Sequence, residues 1–159
     1  MSASNFTTTL VSYASTQQVY NCINNITGWW SEDFKGKSQN LNDEFEVCFF
    51  GDVHYSKQKL IEVLPGKKIV WLVTESTLNF LKNKSEWTGT KIVFEIEEGS
   101  DETKIRFTHV GLVPESECYK DCFNGWNYYL QSLSNYIDKG EGQPTKKGSK
   151  LHDLSLIHI

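Results

Sequence analysis

The stretch Pro114–Asp138, PESECYKDCFNGWNYYLQSLSNYID, decides how the rest of the chain must fold. Its apolar side chains fall at Tyr119, Cys122, Phe123, Trp126, Leu130, Leu133 and Ile137. Gaps of three and four put them on one face of a 3.6-residue helix. The opposite face carries Lys120, Asp121, Asn127 and Gln131. Pro114 suits a first helical turn, where its missing N–H is not needed, and Glu115 and Glu117 would lie near the positive end of the helix dipole. Lys139 and Gly140 close the pattern with a cation and then a residue that tolerates left-handed φ. Such a stripe needs an apolar surface to cover.

Upstream of the helix the period falls to two. Lys104–Val110 sets Ile105, Phe107 and His109 against Lys104, Arg106 and Thr108. Thr90–Glu97 answers with Ile92, Phe94 and Ile96, and Gly99-Ser100-Asp101-Glu102 is the hairpin turn between them. Ile69–Thr74 (IVWLVT) is nearly all apolar, as a central strand would be. Pro65-Gly66 and Gly51-Asp52 are turns that bound a strand over His54–Leu64, preceded by another with Phe45, Val47 and Phe49 on one parity. Ser76–Trp87 fits a loop or a strand pair, and Gly36–Asn42 reads as a loop. Nearer the start, the spacing predicts a helix over Thr16–Asn25, a break near Gly28 and a turn through Trp29-Trp30-Ser31. Phe6–Ser12, rich in β-branched residues, is a first strand. Consecutive hairpins make an antiparallel sheet, and the long helix covers one of its faces.

The chain has 159 residues with a net charge of −4, enough for one domain with a real core and a poor match to phosphate-rich partners. Nucleic acid is therefore not an expected partner. No run of about 20 apolar residues exists to span a bilayer. The start, MSASNFTTTLVSYAS, lacks the basic and apolar runs of a secretory signal, so the expected location is cytoplasmic. In that compartment Cys22, Cys48, Cys118 and Cys122 are expected as thiols. Residues 1–140 read as one domain. Residues 141–159 read as a flexible tail punctuated by Gly142 and Pro144 and made basic by Lys146, Lys147 and Lys150. Its last part, Leu151–Ile159, reads as a docking segment or as an appended, non-native end.

The order of these elements, a strand, two short helices, a six-strand meander and a long helix, is the helix-grip arrangement. TKIVFEIEE, TKIRFTHVGL and CYKDCFNGWNYYLQSLSNYIDKGEG, with Trp29-Trp30 and Pro65-Gly66 before a strand carrying Trp71, resemble the START-like superfamily of birch-pollen-allergen relatives. Within it the chain is similar to the branch named after the activator of the Hsp-ninety ATPase, over roughly residues 5 to 143. The resemblance implies an α+β fold: a curved antiparallel sheet of six to seven strands wrapped around the long helix, with a cavity between them. Members of the superfamily use that cavity for lipids, polyketides or other apolar small molecules, and some are enzymes. The branch founder is a co-chaperone.

Trp71, Phe94, Ile96, Phe107, His109, Trp126 and Leu130 should converge between sheet and helix. Apolar rings with one polar group would line a ligand cavity, on the order of 300 Å³ or more if it takes a lipid- or polyketide-like molecule. The same composition also makes a filled core. His109 lies on the apolar parity of its strand, where a buried imidazole needs a partner; structural satisfaction and acid–base chemistry in a cavity enzyme are its two readings. Cys118 and Cys122 sit one turn apart, but zinc wants four ligands and none accompany them, so no metal or other cofactor is expected. Gly125 in mid-helix suggests close approach of sheet or ligand. Of the adjacent Trp29 and Trp30, one should be core and the other surface, unless both guard a cavity mouth. The leading expectation is a non-enzymatic module that binds an apolar or amphipathic small molecule. The alternatives are a protein-interaction module with a chaperone or other protein partner, and a cyclase- or hydrolase-type enzyme using His109.

Overall fold

The computed structural model describes residues 5–149. Seven strands form a single antiparallel sheet in the order β1-β7-β6-β5-β4-β3-β2. They are β1 (Phe6–Ser12), β2 (Phe34–Gly36), β3 (Glu44–Phe49), β4 (His54–Leu64), β5 (Lys68–Leu78), β6 (Lys91–Glu98) and β7 (Thr103–Val110). Helices α1 (Thr16–Asn24) and α2 (Ile26–Trp29) follow β1, and the long α3 (Tyr119–Lys139) crosses the inner face of the sheet. Strands β2 to β7 are joined in sequence as a meander. β1 closes the sheet from the far side, pairing Phe6 with His109 and Ser12 with Thr103.

Helix α3 starts one turn later than Pro114 suggests. Its N-cap is Cys118, whose side chain makes no capping bond. The exposed amides at this end are satisfied from another element instead: the Glu86 carboxylate accepts from the N–H groups of Glu117 (2.7 Å) and Cys118 (2.9 Å). Pro114, Glu115 and Glu117 therefore lie in the turns before the helix. The stripe is buried at Cys122, Trp126, Leu130, Leu133 and Ile137, whereas Phe123 is 40% exposed and only flanks Phe6. Gly140 ends the helix at φ +83°, the left-handed cap that its position predicts.

Other departures from the sequence reading have local causes. The first helical segment breaks at Asn25, not Gly28, and both Trp29 and Trp30 are buried rather than divided between core and surface. Their rings stack at 5.9 Å, and the Trp29 indole donates to the Ile23 carbonyl. Gly28 lies inside α2, against the Tyr136 ring of α3, where a Cβ would stand 2.5 Å from that ring. The loop expected at Gly36–Asn42 is preceded by the short strand β2. β5 runs on to Leu78, so only residues 79–89 form turns. Register shifts at Lys57/Gln58 and Leu60/Glu62 change the inward parity of the β4–β5 pair, and simple alternation cannot follow them.

Residues 141–149 do not hang free of the domain as the sequence suggests. Thr145 is 4% exposed and forms a parallel bridge with Ser31. Its N–H donates to the Trp30 carbonyl (3.1 Å), and its carbonyl accepts from Glu32 N–H (2.8 Å). Ser132 of α3 donates to the Trp29 carbonyl and accepts from Gln143 N–H, tying this strap to both helices. Gly142 is needed there: a Cβ would stand 2.6 Å from the Gly28 carbonyl. The readings of Leu151–Ile159 lie outside the described residues. The sulfur atoms of Cys118 and Cys122 are in contact, with Cα atoms 5.5 Å apart. One helical turn brings their side chains together, and Cys22 and Cys48 are free.

Candidate functional site

All seven residues expected at the sheet–helix gap are buried between sheet and helix. Trp71 and Phe94 lie 5.0 Å apart by ring centroid, Phe94 and Phe107 5.2 Å, and Phe107 and Trp126 4.6 Å. Ile96 lies on the same inner parity of β6, and Leu130 sits one turn beyond Trp126. The space between Trp71 and Trp126 is occupied by a residue the sequence did not place there. The Trp30 indole stacks on Trp71 at 5.6 Å and on Trp126 at 5.3 Å, nearly parallel to both.

What remains is a small opening of about 20 Å³, room for roughly one water and well below a ligand-sized void. Trp30, Phe49, Trp87 and Trp126 wall it. His54 and Tyr129 bring polar groups to it, and Cys122 and Gly125 form its helix side. Of the seven expected residues only Trp126 borders this opening. Gly125 does so as well, which gives its absent side chain a local use.

His109 is fully satisfied. The Trp126 indole N–H donates to Nδ1 (3.1 Å), and Nε2 lies 2.8 Å from Thr90 Oγ1. An indole only donates, so Nδ1 carries no proton and Nε2–H donates to Thr90, whose hydroxyl donates on to the Trp87 carbonyl (2.6 Å). Burial, aided by the neighbouring His54, pushes His109 down to about 3. With both nitrogens engaged by protein groups, His109 offers no free atom for proton transfer to a ligand.

His54 is the opposite case. It is 3% exposed, stands edge-on to Phe49 and Trp87, and neither ring nitrogen has a partner among the described residues. Burial pushes it down to about 3, so the ring is neutral near pH 7. Tyr129 hydrogen-bonds Thr145 of the strap, and burial raises its hydroxyl. Trp87 arrives on the loop of residues 79–89, stacked parallel to Trp126 at 5.8 Å. That loop is held by reciprocal carboxylates. Glu86 accepts from the start of α3, while Glu117 accepts from the N–H groups of Lys82 (2.7 Å) and Asn83 (3.0 Å). No cluster of three or more metal-ligating side chains occurs among the described residues. None of their helices is long and apolar enough to cross a membrane.

The polar character of the inner face of β4 and the aromatic in the loop NKSEWTGT were not legible in advance. Polar residues at inward positions read as a solvent face, and a lone tryptophan among polar neighbours carries no period.

Comparison with known proteins agrees with this architecture. A solved structure of the Aha1 dimer from Colwellia psychrerythraea is 23% identical, with a TM-score of 0.71 over 87% of this chain and 99% of that one. DynU16, a putative protein in the dynemicin biosynthetic locus, is 12% identical with a TM-score of 0.62, over 86% of this chain and 48% of its own. CalU16 from Micromonospora echinospora is 14% identical with a TM-score of 0.61, over 86% of this chain and 75% of that one. At these identities the likeness is one of fold. No curated protein matches the chain. The family model described as activator of Hsp90 ATPase homolog 1-like protein matches residues 28–138, from the double tryptophan to the end of the long helix, and the chain belongs to that family.

Proposed function

We propose that the protein binds an apolar or amphipathic small molecule between sheet and helix, without catalysing a reaction on it. The observation that carries this reading is His54: a buried imidazole with two unpartnered nitrogens at the edge of an aromatic-walled opening. Leaving such a group unsatisfied costs about 1–3 kcal/mol, which a ligand's polar atom would offset. The opening is too small as it stands, so binding requires Trp30 to leave its place between Trp71 and Trp126. Its backbone is clipped to Thr145, so this movement would be one of the side chain. The protein would then serve as a carrier or sequestering module, with the cytoplasm as its expected location.

Native mass spectrometry of gently purified protein, paired with organic extraction, tests this. A bound small molecule of apolar character is the expected result. An apo mass that stays unchanged against fatty acids, sterols and aromatic compounds would sink it. The weight would then fall on a protein-interaction module, which the co-chaperone name of the family and the dimeric Colwellia psychrerythraea relative favour. Stimulation of a purified Hsp90 ATPase is the matching assay for that second reading.

A further inference from the structure

The inner face of β4 breaks the rule its neighbours obey. His54, Ser56 and Gln58 occupy alternate inward positions and are 3%, 0% and 0% exposed, on a face where β5, β6 and β7 bury mainly apolar side chains. Gln58 Nε2 donates to Ser56 Oγ at 2.5 Å, which leaves Gln58 Oε1 without a partner among the described residues. Both ring nitrogens of His54 and the indole nitrogens of Trp71 and Trp87 are in the same condition. A neutral imidazole brings one N–H and one lone pair, so His54, Trp71 and Trp87 leave three N–H donors unused, and His54 and Gln58 leave two acceptors unused. Native cores rarely leave such groups unmet, and here His54 and Trp87 border the opening while Trp71 stacks on Trp30.

The surroundings restrict what could meet them. No Lys, Arg, Asp or Glu borders the opening, so an ionised ligand would lose its hydration and gain no counter-charge. The walls are flat and nearly parallel: Trp30 lies at 20° to both Trp71 and Trp126, and Trp87 at 6° to Trp126. A planar ring in the place of the Trp30 indole would stack on both faces. From His54 to Gln58 the strand advances about 13 Å, the length of roughly three fused rings.

We propose that His54, Ser56 and Gln58 form the recognition edge of the site, and that its ligand is an uncharged, flat aromatic molecule whose hydroxyl meets His54 at the mouth. Further polar groups on a longer ligand would reach Gln58 and the Trp71 N–H. This rests on the small-molecule reading above and narrows it: fatty acids and other anions are excluded, and bare hydrocarbons bind weakly.

The test is a titration of the full chain near neutral pH with 2-naphthol, naphthalene, 2-naphthoate and oleate, read by tryptophan fluorescence and by nitrogen–proton NMR of the indole groups. The expected result is 2-naphthol binding about 10-fold tighter than naphthalene, the value of one hydrogen bond to a buried group, with 2-naphthoate and oleate weakest. In His54→Phe, which keeps a flat ring, the ratio of 2-naphthol to naphthalene affinity falls to about one. Equal binding of 2-naphthol and naphthalene to the native chain overturns the recognition edge and leaves the buried polar atoms to internal water. Preference for oleate or 2-naphthoate overturns the ligand class but keeps a small-molecule site. Failure of all four to bind removes that reading and this inference together.

Discussion

At the scale of single residues, the two buried histidines make stability depend on pH. Both have folded values near 3 against an ordinary 6.5, because burial disfavours the charged ring. The unfolded chain therefore binds more protons between those limits. Stability from this source is complete above about 6.5 and is lost as pH falls, by up to about 1.4 kcal/mol per pH unit for each histidine. Urea titrations should show a midpoint that is flat above neutrality and falls steadily below pH 6.5, ahead of ordinary carboxylate titration. His54→Phe should remove roughly half of that slope; an unchanged slope would place the proton uptake elsewhere. A second residue-scale expectation concerns Trp126, whose N–H satisfies His109. Trp126→Phe leaves Nδ1 unpaired and opens space in the core, and should cost on the order of 3 kcal/mol in the same assay.

At the scale of elements, much of the secondary structure was legible, because period two and period 3.6 are imposed by burial against a common core. β1 and β4 have the bounds their sequences suggest, and β6 and β7 pair through the inward residues Ile92, Phe94, Ile105 and Phe107. What failed was decided by contacts between distant segments. The start of α3 is fixed by Glu86, some thirty residues away, and no local pattern announces that. The other residues that wall the opening were not legible for a related reason: Trp30 and Trp87 reach the gap from a helix end and a loop, and His54 looks like a surface residue until β4 is registered on β5. The carboxylate clasp makes its own prediction. Glu117→Ala should raise hydrogen exchange at the amides of Lys82 and Asn83 at least tenfold, with little change in the core strands; unchanged exchange would mean the loop is held by Trp87 alone.

At the scale of the whole molecule, the strap over residues 142–146 joins the end of the described chain to the two short helices and α3. Ser132 accepts from Gln143 N–H of the strap and donates to the Trp29 carbonyl, and Ser132→Ala should destabilise the fold by about 1–3 kcal/mol in thermal or urea melts. Ending the chain at Gly140 removes Thr145 from Trp30 and Tyr129, so a lower melting temperature and easier quenching of tryptophan fluorescence by acrylamide are expected. Equal quenching in the short and full chains would show that the strap does not cover Trp30.

The pairing of β1 with β7 has a consequence for the chain while it is being made. Ser12 finds Thr103 only after some 90 further residues have been added, which takes roughly 5 to 20 s on a ribosome. The strand made first is among the last to be paired, and it is held on one edge alone. Damage to β7 should therefore be reported far away in sequence. Ile105→Ala loosens the partner, but the first bonds a protease such as chymotrypsin cuts should be those after Leu10 and Tyr13, at the opposite end of the chain.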